Sequence, residues 1–496
     1  MKILISYPPL LNKKGCPTLG QNRQFQYFKE PTYIYPVVPA TAATMLKNAG
    51  HQVSWNDSLA EGLSREEFFL LIQRQKPDLI AFETKTPVIK QHWAFINEIK
   101  ARFAGVRCVL FGDHVTALPQ ESFENSGVDF VLTGGDYDFL LRNLCNTLEA
   151  AHSEFAAHLE PGIYWRQSGD IRNSGLFKLE HDLNEVPFID RELTKWRLYA
   201  FKNGNYKRTP GTYIMSGRDC WWGKCTFCGW GHFYPGFRQR NPAHVLDEIG
   251  EVIEKYGVRE IMDDTGSFPA GEWLAEFCRG MIRRGFNKKV YLDCNMRFGT
   301  LGEDDFALMK KANFRLLLFG LESANQRTLD RIKKNLKVED VIEGCRMASK
   351  AGLFPHITIM FGYPWETYED ALKTFKLGTW LLEKGYAYTM QATMVIPYPG
   401  TPLFEECKNA GLLRTLDWDR YDMKEPVMRT EVAQEKLMGL VQGMYGVAFK
   451  PAFIMRKILS IRDKDDLAYY LRAAGKVLGH MFDFRHKKEV NGCSGR

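Results

Sequence analysis

The chain has 496 residues, 45% hydrophobic and 25% charged, with a formal net charge of +7 dispersed along its length. That length exceeds one ordinary core and implies two or three domains, and the composition excludes disordered, collagen-like and membrane-spanning classes. Eleven cysteines, an odd number with three crowded together, argue against a disulfide scaffold and for a reducing compartment.

Residues 2–6 read as a buried strand stopped by Pro8-Pro9, with no signal peptide before it. Helices are expected over residues 40–48, stopped by Gly50, and 64–75. Strands are expected over 51–55, 77–82, 107–111 and 128–132. This alternation predicts an α/β, Rossmann-like parallel sheet over residues 1–150. Such sheets take ligands beyond the carboxyl ends of their strands. Those ends carry Thr84, Thr86, Gly112, Gly134 and Gly135, although glycine there is also an ordinary turn residue. Residues 151–206 read as a linker with one small hairpin and a proline-bearing stretch at 184–190, where no chemistry is visible.

Residues 212–216 predict a strand feeding Cys220-Trp221-Trp222-Gly223-Lys224-Cys225-Thr226-Phe227-Cys228. Beyond it, Asn241-Pro242 starts a helix that ends at Gly257. Strands then follow at 259–263, 290–295, 315–319, 356–361 and 388–396, with helices at 304–311, 338–350 and 368–383 between them. The pattern predicts a (β/α)6 partial barrel over residues 207–405, with its chemistry at the strands' carboxyl ends. Those ends carry the cysteines, Asp264-Thr265, Arg297, Glu322-Ser323, Gly362 and Pro397-Tyr398-Pro399-Gly400. Singly, Asp264 reads as a helix cap, Arg297 as a surface ion pair and Gly362 as a turn. Together they furnish one rim around the cysteine loop. Residues 406–496 are expected to form a helical cap whose Met and Phe side chains suit an apolar substrate. The run Arg485-His486-Lys487-Lys488 reads as a solvated tail or a contact with anionic lipid.

Three thiolates from one loop are soft metal ligands. A structural zinc site would need a fourth ligand, for which His232 is available. A ferredoxin-like cluster would need a further cysteine, and Cys278 and Cys294 read as core thiols. The third possibility is an iron–sulfur cluster with one open iron.

The cysteine loop with Phe227, the Gly320-Leu321-Glu322-Ser323 turn, Gly362-Tyr363-Pro364-Trp365-Glu366-Thr367 and Pro397-Tyr398-Pro399-Gly400-Thr401 resemble the cobalamin-binding-domain radical S-adenosylmethionine (SAM) enzymes. These include class B methyltransferases and cyclases, and the resemblance covers about residues 1–405. It implies that Cys220, Cys225 and Cys228 hold three irons of a 4Fe-4S cluster and that SAM chelates the fourth. It sets Asp264 and Thr265 near the methionine amino group, Arg297 with Glu322 and Ser323 near the carboxylate and ribose, and Gly362 at the adenine. It brings Thr84, Thr86, Gly112, Gly134 and Gly135 against cobalamin. No cobalt-ligating Asp-x-His-x-x-Gly stands in the first loop, and His114 is not offered in that role. The cysteine spacing is four then two residues, where the family commonly has three then two.

The resemblance implies reductive SAM cleavage to a 5′-deoxyadenosyl radical and methylation of an unactivated carbon. The substrate would be a small, apolar or lipid-like molecule, and the electron donor a flavodoxin or ferredoxin. Within the same class the alternative is cyclisation or rearrangement without methyl transfer. Outside it stand a tRNA methylthiotransferase, whose first domain would need three converging cysteines where this chain has Cys16, Cys108 and Cys145 scattered, and a non-enzymatic cobalamin or redox sensor. No nucleic-acid partner, transmembrane segment or catalytic acid or base is assigned. A cytoplasmic protein is expected, membrane-peripheral if the basic tail meets lipid.

Overall fold

A computed structural model describes residues 1–18, 27–28, 31–150 and 155–483, so the basic run at 485–488 lies outside the described residues. The first unit is a seven-stranded sheet. Its strands are β1 (Lys2–Tyr7), β2 (Gln52–Asp57), β3 (Leu79–Glu83), β4 (Arg107–Phe111), β5 (Phe130–Leu132), β6 (Ile163–Gln167) and β7 (Asp170–Asn173). The spatial order is β2-β1-β3-β4-β5-β6-β7. The first five strands are parallel, as the Rossmann-like pattern requires, and the 163–173 hairpin adds two antiparallel ones. Helices α1 (Val37–Asn48), α2 (Arg65–Gln75), α3 (Ile89–Arg102) and α4 (Tyr137–Ala150) connect or cover this sheet. Ser64 and Glu67 close a capping box at the start of α2.

The second unit is a six-stranded, wholly parallel sheet in sequential order. Its strands are β8 (Gly211–Ile214), β9 (Glu260–Asp263), β10 (Tyr291–Met296), β11 (Phe314–Glu322), β12 (Phe354–Phe361) and β13 (Thr389–Met394). Helices α5 (Pro242–Tyr256), α6 (Glu272–Arg283), α7 (Glu303–Lys311), α8 (Val338–Lys350) and α9 (Tyr368–Lys384) alternate with them. Since β8 and β13 are the unpaired edges, the barrel is open on one side, as expected. A register shift between β10 and β11 accompanies the turn of Arg315 onto Glu260 and Asp293, at 2.7 Å from each, in the buried foot of the barrel. From residue 434 on, the described residues form α10 (Gln434–Gly446), α11 (Pro451–Leu459) and α12 (Lys464–Asp483). No single helix among the described residues is long and apolar enough to cross a membrane, although α10 with the short turn after it and α11 pass that test as a bent pair.

The proline-bearing connector is packed, not a free tether. Arg191 is fully buried and donates to the Tyr213 carbonyl at 3.1 Å and to Glu248 at 3.3 Å, inside the second unit. Eight residues later, Tyr199 donates to Asp57 of the first unit at 2.8 Å. One short segment is therefore fastened to both sheets.

Candidate active site

The cysteine loop leaves β8 and returns through a two-residue antiparallel ribbon, Gly217–Arg218 against Arg238–Gln239. Arg218 anchors that ribbon to the first unit, with its guanidinium between Asp136 at 2.8 Å and Asp138 at 2.9 Å. Arg238 also pairs with Asp136. Within the loop, Cys228 N–H donates to the Cys225 carbonyl at 3.1 Å. Thr226 N–H donates to the Ile332 carbonyl, and its own carbonyl accepts from Leu403 N–H, both at 3.0 Å. The loop is thus clamped between the segments that follow β11 and β13.

The additional residue between the first two cysteines has a visible place. Gly223 takes a left-handed turn at φ +60°, and Gly231 packs directly on it. A Cβ on Gly231 would stand 1.9 Å from the Gly223 carbonyl oxygen, so the fold needs glycine there.

All three cysteines are partly buried. Burial pushes the Cys225 thiol up to about 12, opposed by Lys334 and reinforced by the other two thiols. Binding a metal centre must therefore displace protons, as thiolate ligation does. The thiols sense one another, yet among the described residues no three His, Cys, Asp or Glu side chains converge tightly enough for a single ion. His232 does not complete a zinc set, because its Nε2 lies 3.1 Å from the Cys225 carbonyl. The donor set suits a multi-iron centre. Cys278 and Cys294 are buried core thiols. So are Cys16 and Cys108, each pushed up to about 12 by burial, and Cys145, pushed up further.

At the end of β9, Asp263 accepts from Ser216 N–H at 2.9 Å and from its hydroxyl at 2.5 Å. Thr265 is fully buried. Its hydroxyl accepts from Gly217 N–H at 2.9 Å and donates to the Gly217 carbonyl at 3.1 Å. The Thr265 hydroxyl thus braces the loop entrance. Asp264, the next residue, is buried, and its charge adds to burial in raising the Tyr213 phenol. After β10, the Arg297 guanidinium lies 4.4 Å from the Trp222 ring centroid and donates to the Asn335 carbonyl at 2.6 Å. It fastens the 333–335 turn to the cysteine loop, and Trp222 does likewise by donating to the Lys333 carbonyl at 2.9 Å.

Glu322 ends β11 in the left-handed region, φ +65°, and pairs with Lys334 at 2.8 Å. Ser323 is buried and donates to Glu366 at 2.7 Å, below the rim. Gly362, φ +94°, backs onto Met394, whose Cε would stand 2.5 Å from an added Cβ. Four buried polar atoms near these ends have no partner among the described residues: Trp221 Nε1, Ser267 Oγ, Tyr363 OH and Thr393 Oγ1. Each unpaired buried group costs about 1–3 kcal/mol, and such groups call for a ligand or water. Sequence reasoning missed Ser267 and Thr393. Ser267 stands three residues past Asp264, and Thr393 is one position inside a strand end.

At the first sheet, Thr84 Oγ1 lies 3.1 Å from His92 Nδ1, and Thr86 Oγ1 lies 3.2 Å from His114 Nδ1. His114 is committed on its other side to Glu121 at 2.9 Å. Gly112, φ +117°, passes so close to the Thr84 carbonyl that a Cβ would stand 2.4 Å from it. Gly134 and Gly135 were expected to face a flat ligand, and here the Phe177 and Tyr234 rings lie on them. Tyr234 is held by Asp113 at 2.6 Å. The cavity left between these ends and the cysteine loop is about 10 Å³. In this conformation the Thr84 and Thr86 hydroxyls are engaged by His92 and His114, and the Phe177 and Tyr234 rings occupy the space against Gly134 and Gly135.

Comparison with known proteins matches residues 214–378 to the Radical SAM superfamily. An uncharacterized methyltransferase of Pyrococcus horikoshii is 26% identical over 93% of this chain and 94% of its own. The anaerobic magnesium-protoporphyrin IX monomethyl ester cyclase of Cereibacter sphaeroides is 25% identical over 77% of this chain and 62% of that protein. The chain thus spans less than two thirds of that cyclase. The radical SAM methyltransferase TsrM from Kitasatospora setae, solved with cobalamin and a 4Fe-4S cluster bound, shares the fold at TM-score 0.67 and 15% identity, over 91% of this chain and 89% of that one.

Proposed function

From the premise that this chain is an enzyme carrying a radical SAM domain at residues 214–378, we propose that it is a cobalamin-dependent radical SAM methyltransferase acting on an unactivated carbon of a small, largely apolar molecule. The observation that carries this reading is the set of buried polar atoms without a partner among the described residues that stand after β9, after β12 and at the end of β13, beside a three-cysteine loop. Cys220, Cys225 and Cys228 hold the cluster, and Asp264 takes the SAM amino group. Arg297 and the Glu322–Lys334 pair set the charge around the SAM carboxylate and ribose. Ser267, Tyr363 and Thr393 supply further hydrogen bonds, and Gly362 leaves room for the adenine. Ser323 and Thr265 act from beneath, by positioning Glu366 and the cysteine loop.

Bound here, the cluster and cobalamin supply one-electron cleavage of SAM and a transferable methyl group. The protein's part is to orient SAM, shield the rim with Trp221 and Trp222, and keep water from the reacting carbon. Thr84, Thr86, Gly112, Gly134 and Gly135 would hold cobalamin once Tyr234 and Phe177 swing aside, and support for that cofactor comes from the shared fold. The reading needs a one-electron donor such as a flavodoxin or ferredoxin and a reducing, cytoplasmic setting.

Anaerobic reconstitution should give about four irons per chain and SAM-dependent 5′-deoxyadenosine, both lost in Cys220→Ala. Two irons without SAM cleavage would sink the assignment. The likeness to a cyclase favours a second reading, ring formation without methyl transfer. Product mass separates the two, since only the first adds a methyl group from labelled SAM.

A further inference from the structure

A cavity of about 580 Å³ lies beside the foot of the barrel. Its floor is the amino halves of β11–β13, through Leu316, His356 and Gln391, and its roof is α10–α12. It shares a wall with the candidate active site. Tyr213 lines the cavity, accepts from Asn203 Nδ2 at 2.9 Å, and feels the charge of Asp264 at the rim.

Among the described lining residues, Lys457 alone carries a formal charge outside histidine. Its ammonium donates to the Tyr388 carbonyl at 2.8 Å and stands 3.1 Å from the Tyr388 ring centroid. It has no carboxylate partner among the described residues. Burial, and after it the positive charges of Arg456, Lys207 and Arg315, hold the Lys457 amine well below the ordinary lysine range. Two of these are already neutralised, Lys207 by Asp466 at 3.0 Å and Arg315 by Glu260 and Asp293 at 2.7 Å. A buried amine without a counter-ion is driven toward its neutral form, and a ligand carboxylate beside it favours the charged form and pairs with it. The rest of the lining is mostly apolar and aromatic, and its mouth is too. Ile454 and Ile458 line the cavity and remain 41% and 55% exposed.

We propose that this cavity is the substrate chamber and that it takes an elongated apolar molecule ending in a carboxylate, which pairs with Lys457. The proposal rests on the radical SAM reading of the rim. Tyr388 precedes β13, whose carboxyl end is Met394. Six residues of strand span roughly 20 Å, so a ligand anchored at Lys457 needs about that length to present a carbon to the rim. A carboxylate fits better than a phosphate, because one ammonium and one wall of phenols offer a single charge.

The test is fluorescence titration of the reconstituted full chain with cis-parinaric acid and with its methyl ester. The acid should bind at least about tenfold more tightly than the ester. Lys457→Met should remove that preference without changing the ester, and Lys457→Arg should keep it. Ala473→Trp, which fills the chamber from α12, should weaken both probes. Equal binding of acid and ester in the wild type, or an unchanged preference in Lys457→Met, overturns the proposal. So does full binding in Ala473→Trp, which would put the probe elsewhere. SAM cleavage by the wild type is measured on the same preparations. Charge-selective binding without 5′-deoxyadenosine leaves the chamber standing and overturns the radical SAM reading; the reverse result overturns the chamber alone.

Discussion

Gly231 is the residue on which the unusual cysteine spacing rests. A methyl group there would meet the Gly223 carbonyl at 1.9 Å, and that atom is backbone, which cannot swing away. Gly231→Ala should therefore displace the Cys220–Cys225 arm while leaving the barrel intact. The expected outcome is at least a halving of reconstituted iron, against an unchanged far-ultraviolet circular dichroism spectrum. Retention of a full cluster would show that the loop tolerates the shift. The need for glycine at position 231 was not legible in the sequence, since it arises from a contact eight residues away across a loop. Asp263 and Asp264 show the same limit at closer range. Adjacent strand residues point to opposite faces, and which of the pair braced Ser216 depended on a register no motif contains.

At the scale of elements, the signals that worked were local. Asn241-Pro242 and Gly257 bounded α5 to the residue, because a proline in the first turn and a left-handed glycine after the last are steric facts of those residues. The parallel character of the barrel sheet and of the first five strands followed from the alternation of strand and helix. The two-residue ribbon under the cysteine loop was not legible. Its anchor, Arg218, meets Asp136 and Asp138 some eighty residues earlier, and only the packed fold brings them together. All three groups are buried, and removing the cation would leave two carboxylates facing each other out of water. Arg218→Met should cost about 3–5 kcal/mol in urea unfolding. It should also weaken cluster retention, since the ribbon sets the base of the loop. A loss below 1 kcal/mol would mean that Arg238 alone holds Asp136.

Across the whole molecule the two sheets are joined by buried charge at Asp136, which pairs with Arg218 and Arg238, and a histidine on that cluster titrates above neutrality. His181 is held between Asp136 at 2.8 Å and Glu160 at 3.0 Å, and despite partial burial the two carboxylates push it up to about 9. A pKa raised on folding gives stability that is complete below the unfolded value of about 6.5 and lost as pH rises toward 9. The melting temperature should fall across that window in the wild type, and the fall should flatten in His181→Gln. Asp136 acts in the opposite sense. Its carboxyl is depressed despite burial, by His181, Arg218 and Arg238, so its share persists above the unfolded carboxylate value and disappears only in strong acid. A wild-type melting temperature that does not fall from pH 6.5 to 9 would count against the charged lock.

The cavity at the foot of the barrel has walls from both ends of the chain, with Ile34 facing Tyr469. It therefore does not exist while the protein is being made. The cysteine loop and every barrel strand up to Met394 precede the roof helices in synthesis. Loops this long close late, after their entropy cost has been met by the contacts already formed. A ribosome-bound or truncated chain would thus own its cysteine loop before it owned this enclosed space. The last helices are thus what close the space beneath the barrel, and they do so only after every strand of it is in place.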